Sequence, residues 1–262
     1  MWLRTTNNSG PGSLRQAITD ANNHPGPDTI TFAAATNGIP IVLGGAAGED
    51  ANASGDLTIQ GNGAANTIID GGGIDRVFHV CPAGGCAHTV TFSGVTIRNG
   101  CPGFAGGGGI FNEGATLNVQ NSIIGGGGFL NQAIIGGGIY NLVGTTMVDG
   151  SIISANAALS GGGIYNAAML IIQNGSTVGG AGSAGNFAVD GGGIYNETGT
   201  TTVDESTVSG NTATEEGGGI YNRATLNVQN GSTIGGAGAG AGNTADYGGG
   251  IRNARRIHHR PC

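Results

Sequence analysis

Gly161-Gly162-Gly163-Ile164-Tyr165-Asn166 decides the fold, because the chain repeats it. Earlier copies are Gly107-Gly108-Gly109-Ile110-Phe111-Asn112 and Gly136 to Asn141, and later ones are Gly191 to Asn196 and Gly217 to Asn222. An altered copy, Gly248-Gly249-Gly250-Ile251-Arg252-Asn253, follows. The isoleucines at 110, 139, 164, 194, 220 and 251 are separated by 29, 25, 30, 26 and 31 residues. Long and short intervals alternate, as in a solenoid whose coils come in pairs.

Outward from each motif the pattern changes to period two. The following segments read ATLNVQN, GTTMVDG, AMLIIQN, GTTTVDE and ATLNVQN. Side chains on a strand alternate between faces. Leu117/Val119, Thr146/Val148, Leu170/Ile172, Thr201/Val203 and Leu226/Val228 therefore form one face, predicted to be inward. Asn118/Gln120, Met147/Asp149, Ile171/Gln173, Thr202/Asp204 and Asn227/Gln229 form the outward one. A second short strand brings Ile124, Ile153, Val178, Val208 and Ile234 into the core. Two asparagine columns recur at fixed places. One is Asn112, Asn141, Asn166, Asn196, Asn222 and Asn253; the other is Asn131, Asn156, Asn186, Asn211 and Asn243. Their recurrence predicts turns whose side chains bond to the copies above and below. The expected fold is all-β: a right-handed parallel β-helix of about eight coils. Residues 1–28 form an N-terminal cap, 29–253 the β-helix and 254–262 a basic tail that departs from the repeat.

Within the cap, residues 13–22 read as a short amphipathic helix. Ser13 is its N-cap, Gln16 stands at the capping-box position, and Leu14, Ala17, Ile18 and Ala21 share one face. The helix is expected to cover the first coil and its open strand edge. Strands are expected at 29–32, 39–43, 57–60 and 67–69. The terminal coil has no such lid, so end-to-end self-association is expected.

Composition narrows the classes. Gly accounts for 57 of 262 residues, about three times the usual ~7%, but it is clustered and Pro is only 7, which excludes collagen. Lysine is absent, and a net charge of −7 argues against a nucleic-acid partner. No stretch approaches the roughly 18 apolar residues of a membrane span. Met1 to Arg4 run straight into polar residues, so no export leader is expected within the chain. Cys81 and Cys86 bracket Pro-Ala-Gly-Gly. A disulfide between them is expected and would suit an oxidising compartment; two thiols are the alternative. No C-x-x-C pair occurs, which argues against a zinc or thioredoxin-like site; no metal and no cofactor is expected.

Residues 9–32, from Ser-Gly-Pro-Gly-Ser-Leu-Arg-Gln-Ala-Ile to Pro-Gly-Pro-Asp-Thr-Ile-Thr-Phe, resemble the N-terminal capping segment of large bacterial surface proteins called the CSLREA domain. Gly12 stands where that name has Cys. The Gly-Gly-Gly-Ile-Tyr-Asn coils resemble those of polymorphic outer-membrane protein and extracellular β-helix families. The resemblance implies export and display on, or release from, a bacterial cell. It implies no single activity, because these families include adhesins. Pectate-lyase-like enzymes share the architecture, and fold alone does not assign function.

Asp70, Asp75, Arg76 and His79, with Arg98 one coil later, make the richest polar constellation and the candidate catalytic group for a polysaccharide lyase or hydrolase; a surface salt-bridge group is the alternative. Asp149 and Asp204 share an outward position but lie two coils apart, about 10 Å, too far for one Ca²⁺. Asp204/Glu205 and Glu215/Glu216 are adjacent pairs without an assured common face, and no Gly-x-Ser-x-Gly or P-loop occurs. Phe111, Tyr140, Tyr165, Tyr195 and Tyr221 form an aromatic column. If outward, it is a ladder for stacking on sugars; if inward, a core stack. Two outward columns bear on ice binding: Ile123, Ile152, Thr177, Thr207, Thr233, and Thr116, Thr145, Met169, Thr200, Thr225. The expected function is a secreted or cell-surface scaffold, non-catalytic, binding polysaccharides or cell-surface glycans.

Overall fold

A computed structural model describes residues 2–44, 49–51, 55–82, 86–180, 182–236 and 240–254. The expected basic tail therefore lies, from residue 255, outside the described residues.

The chain is a parallel β-helix. One long sheet runs from Trp2–Leu3 through Asp28–Phe32, Leu57–Gln60, Thr89–Ser93, Ile110–Gln120 and Ile139–Asp149. It continues through the later coils to Ile251–Asn253. A second sheet stacks eight short strands, from Ile41–Val42 to Thr233–Ile234, and a third stacks four, from Asn131–Gln132 to Thr212–Glu216. Every pairing is parallel, and the register joins like to like: Ile110, Ile139, Ile164, Ile194, Ile220 and Ile251 pair in sequence. The repeat is thus one residue of each coil lying over its copy.

Three glycines stand in each motif for separate reasons. Gly161 has φ +67°, the left-handed region that glycine enters freely. A Cβ on Gly162 would meet Gly192 O at 2.6 Å, and one on Gly163 would meet Gly193 O at 2.6 Å. Coils cannot stack at strand spacing with side chains there. Next, Ile164, Leu170, Ile172 and Val178 of one coil point inward and are fully buried. Each contributes about 1.5–3 kcal/mol when fully buried.

The polar interior is organised by ladders. Nδ2 of Asn112, Asn141, Asn166, Asn196 and Asn222 each donates to Oδ1 of the next member, at 2.7–3.0 Å. The second column, Asn131 to Asn243, repeats the arrangement at 2.9–3.0 Å. None of these asparagines has positive φ. The left-handed corner belongs to another column: Gly94, Asn121, Gly150, Asn174, Glu205 and Asn230, with φ of 47–64°. Thr146 and Thr201, inward but polar, donate to Asn141 and Asn196 at 2.9 Å, which explains their burial in alternate coils. A serine column completes the set, with Ser151 Oγ accepting from Ser122 N and Ser176 Oγ from Ser151 N at 3.0–3.1 Å.

The expected helix is present at Leu14–Asn23, with Ser13 Oγ accepting from Gln16 N at 3.2 Å and the four expected apolar residues buried. Only half of the capping box forms, because Gln16 Nε2 turns to Asp20 Oδ1 at 2.7 Å. The helix is not what pairs the first strand edge. Trp2–Leu3 does so, in register with Thr31 and Phe32. The segment expected to be a strand over 39–43 contains only Ile41–Val42 in strand geometry. At the far end Val228 and Ile251 are 41% and 37% exposed, whereas equivalents in inner coils are fully buried. Among the described residues no helix is long and apolar enough to cross a membrane.

Candidate functional site

The aromatic column is outward. Ile110, Phe111 and Asn112 alternate buried, half-buried, buried, and the same alternation at Tyr140, Tyr165 and Tyr221 sets each ring on the outer surface of the long sheet. Tyr195 is the most covered, at 9% exposed. The reading as a core stack therefore fails. The reading as a platform for sugar rings also changes. Phe111 and Tyr140 lie 4.9 Å apart at 12°, and Tyr165 and Tyr195 lie 5.0 Å apart at 7°. Coil stacking presses face onto face, so interior rings spend their faces on one another. Only Tyr140 and Tyr165 meet edge to face. What the column offers outward is ring edges and phenol hydroxyls at rung spacing.

Burial pushes the phenols of Tyr165 and Tyr195 up to about 12, with the Glu197 carboxylate acting in the same direction. Arg223 opposes this at Tyr195, donating to its hydroxyl at 3.5 Å while its Nη1 holds Glu197 at 2.8 and 3.0 Å. Sequence reasoning passed over both charged residues. The available signal was that each immediately follows a ladder asparagine, Asn196 or Asn222, so the two occupy one column in adjacent coils.

The proposed polar constellation divides between two sheets. Asp70 and Arg98 are register partners on the second sheet. Arg98 Nε reaches Asp70 Oδ2 at 2.9 Å, and Gly72 N and Asn99 Nδ2 hold Oδ1 at 3.0 and 2.7 Å. His79 lies on the long sheet, stacked on Phe111 at 4.8 Å, so it heads the aromatic column. Its Nε2 meets Glu113 Oε2 at 2.7 Å. Arg76 Cζ lies over the Phe111 ring, 5.1 Å from its centre, and Asp75 Oδ1 accepts from Arg76 N at 2.7 Å. Glu113, the partner of His79, was not anticipated. It too follows a ladder asparagine.

Disulfide Cys81–Cys86 is formed, with Cα atoms 6.0 Å apart. Asp149 and Asp204 are not loose surface carboxylates. Gln173 and Asn174 donate to Asp149 at 3.3 and 2.8 Å, and Gln229 and Asn230 donate to Asp204 at 3.1 and 2.6 Å. Each long coil thus clamps the aspartate of the short coil beneath it. Glu216 pairs with Arg252 at 3.3 Å, and its N–H donates to Asp190 Oδ1 at 3.2 Å. Burial, reinforced by Glu215 and Glu216, raises the Asp190 pKa against that hydrogen bond. Both threonine-bearing columns are in register. The one on the long sheet is broken by Met169, 47% exposed, beside Met147 and Ile171. Among the described residues no group of three or more His, Cys, Asp or Glu side chains is arranged to hold a metal ion.

Comparison of the chain with models of known families, with curated proteins and with solved structures finds no match.

Proposed function

We propose that this chain is a secreted or surface-displayed scaffold that binds an extended polysaccharide along the outer face of its long sheet, without cleaving it. The supporting observation is the register. Thr116, Thr145, Thr200 and Thr225 lie in one column, interrupted at Met169; Gln120, Asp149, Gln173, Asp204 and Gln229 lie in another, unbroken one on the same face. Hydrogen-bonding groups thus recur roughly every 4.8 Å along the axis. A polymer of repeating hydroxyl-bearing units can meet such a row at many weak points, and many weak contacts in a fixed geometry add to useful avidity. The carboxylates that a hydrolytic reading would recruit are held instead by structural partners: Asp70 by three donors, Asp149 and Asp204 by Gln–Asn clamps.

Binding and cleavage are read together by incubating the purified chain on a polysaccharide array. The expected result is retention on one or more polymers without release of reducing or unsaturated ends. The variant Thr145→Glu/Thr200→Glu places charge on the half-buried outer face and should lose retention while keeping its circular dichroism. Turnover of any polymer, or retention unchanged in this variant, would overturn the proposal.

A further inference from the structure

A second surface, on the second sheet rather than on the long sheet that carries the tyrosine column, has the features of a small-ligand site. A shallow groove of about 390 Å³ crosses the outer face of the second sheet. That is within the roughly 300–1,000 Å³ range of ligand pockets. Ile68, Thr96, Ile123 and Ile152 lie in register as its floor. Thr96 belongs to this apolar strip because its hydroxyl is spent, donating to Ala64 O at 2.7 Å. Four rungs make three spacings, about 14 Å at roughly 4.8 Å each. Past Ile152 the same column continues as Thr177 and Thr207, so the apolar strip ends there.

Arg98 lines the groove. Its Nε is fixed by Asp70 at 2.9 Å, and Phe129 covers its face with Cζ 4.5 Å from the ring centre. Among the described residues the guanidinium has no hydrogen-bond partner beyond that Nε contact. The side chain is only 14% exposed. A Cβ on Gly127, which also lines the groove, would fall 3.0 Å from Nη1, so the glycine leaves that nitrogen accessible. Asp70 is saturated by Gly72 N, Asn99 Nδ2 and Arg98 Nε, so it orients the fork without occupying it. A guanidinium edge of this kind matches a carboxylate in two parallel hydrogen bonds.

We infer that the groove binds a free single-chain aliphatic carboxylate, its head on the Nη edge of Arg98 and its chain along Ile123 and Ile152. Titration calorimetry with decanoate, decanol and decyltrimethylammonium, each below its aggregation concentration, tests this on the intact chain. Decanoate should bind saturably at one site and at least tenfold more tightly than decanol, and the cation should not bind. Arg98→Gln should bring decanoate down to the level of decanol. Ile152→Glu, at a position 42% exposed and so expected to fold, should abolish binding of both. Should Arg98→Gln fail to fold, the decanoate-to-decanol ratio and Ile152→Glu decide the matter. Equal affinity for acid and alcohol, unchanged binding in either folded variant, or absence of saturable binding would overturn the inference. So would association with anionic vesicles alone.

Discussion

Asn156 is the best place to test whether the amide ladders hold the coils in register. It is 1% exposed, and its Oδ1 accepts from Asn131 Nδ2 at 2.9 Å. Its Nδ2 faces three oxygens: Asn186 Oδ1 at 2.9 Å, and Ile124 O and Ser154 O at 3.0 Å each. Asn156→Ala removes these bonds but does not strand the neighbours. Asn131 Nδ2 keeps Ile97 O at 3.1 Å, and Asn186 Oδ1 keeps the backbone N–H of residue 156 at 3.1 Å. Two ladder bonds at about 1 kcal/mol each, plus a weakened carbonyl pairing and a small void, make a loss of about 3 kcal/mol. Asn156→Asp has the same shape and the opposite electrostatics. It still accepts from Asn131, but a carboxylate oxygen replaces Nδ2 and confronts the three acceptors. An uncompensated buried charge costs about 3–5 kcal/mol, on top of the lost ladder bond. The isosteric change should therefore be worse than the truncation at pH 7. The sign with pH follows. Burial among acceptors raises the native pKa of this aspartate above its unfolded value of ~3.9. The penalty is absent below that value and grows as pH rises toward the native one. With about 2.1 cal/mol/K per residue, 262 residues give about 2 °C of melting temperature per kcal/mol. Melts of wild type, Asn156→Ala and Asn156→Asp at pH 7 and pH 3.5, each referred to wild type at the same pH, are the assay. The alanine variant should fall by about 5 °C at pH 7 and the aspartate variant by about 9 °C or more, with the gap narrowing in acid. An aspartate variant as stable as the alanine one at pH 7, or a gap indifferent to pH, would refute the ladder as an oriented donor–acceptor chain.

Glu205 occupies the left-handed corner, φ +47°, where other coils carry Asn or Gly. Glu205→Asn should stabilise the chain by about 0.5–1 kcal/mol, a rise of some 1–2 °C on melting, and a fall would show that the side chain contributes more than the strain costs. The phenols of Tyr165 and Tyr195, pushed to about 12 against ~10 in the unfolded chain, stabilise the native state fully below pH ~10. That contribution is lost as pH climbs to about 12, so the melting temperature should drop across this window and drop less in Tyr165→Phe/Tyr195→Phe; equal slopes would count against it. Reduction of Cys81–Cys86 should raise the intact mass by two hydrogens and cost about 2 kcal/mol in the short-loop limit. An unchanged mass would exclude the bridge.

The extent to which the sequence announced this structure depended on repetition. Ile139, Ile164 and Ile194 recur beside fixed glycines and asparagines, so their stacking could be read before any coordinate, and the long sheet pairs them in sequence. The serine column was equally periodic, but its hydroxyls bond to backbone N–H groups of adjacent coils, and nothing in a strand pattern marks that. Where the motif decays, the reading failed. Arg76 to Val80 carry no glycine triplet, yet Phe78, His79 and Val80 pair with Ile110, Phe111 and Asn112. Without that register His79 looked like a neighbour of Asp70 in sequence rather than the head of an aromatic stack, and Glu113 remained invisible as its partner. The same reasoning bears on function. A solenoid turns each column into a row, so the meaning of an aromatic or a carboxylate depends on what lies one rung above and below. Tyr165 is not a platform because Tyr195 lies on its face, and Asp149 is not a metal ligand candidate because Gln173 and Asn174 hold it. Arg98 differs from both. The rung below supplies Asp70 to only one of its nitrogens, and the next position on the rung above is Gly125, a residue with no side chain to offer. Chemistry available to a partner is thus concentrated where the repeat leaves a rung without its complement.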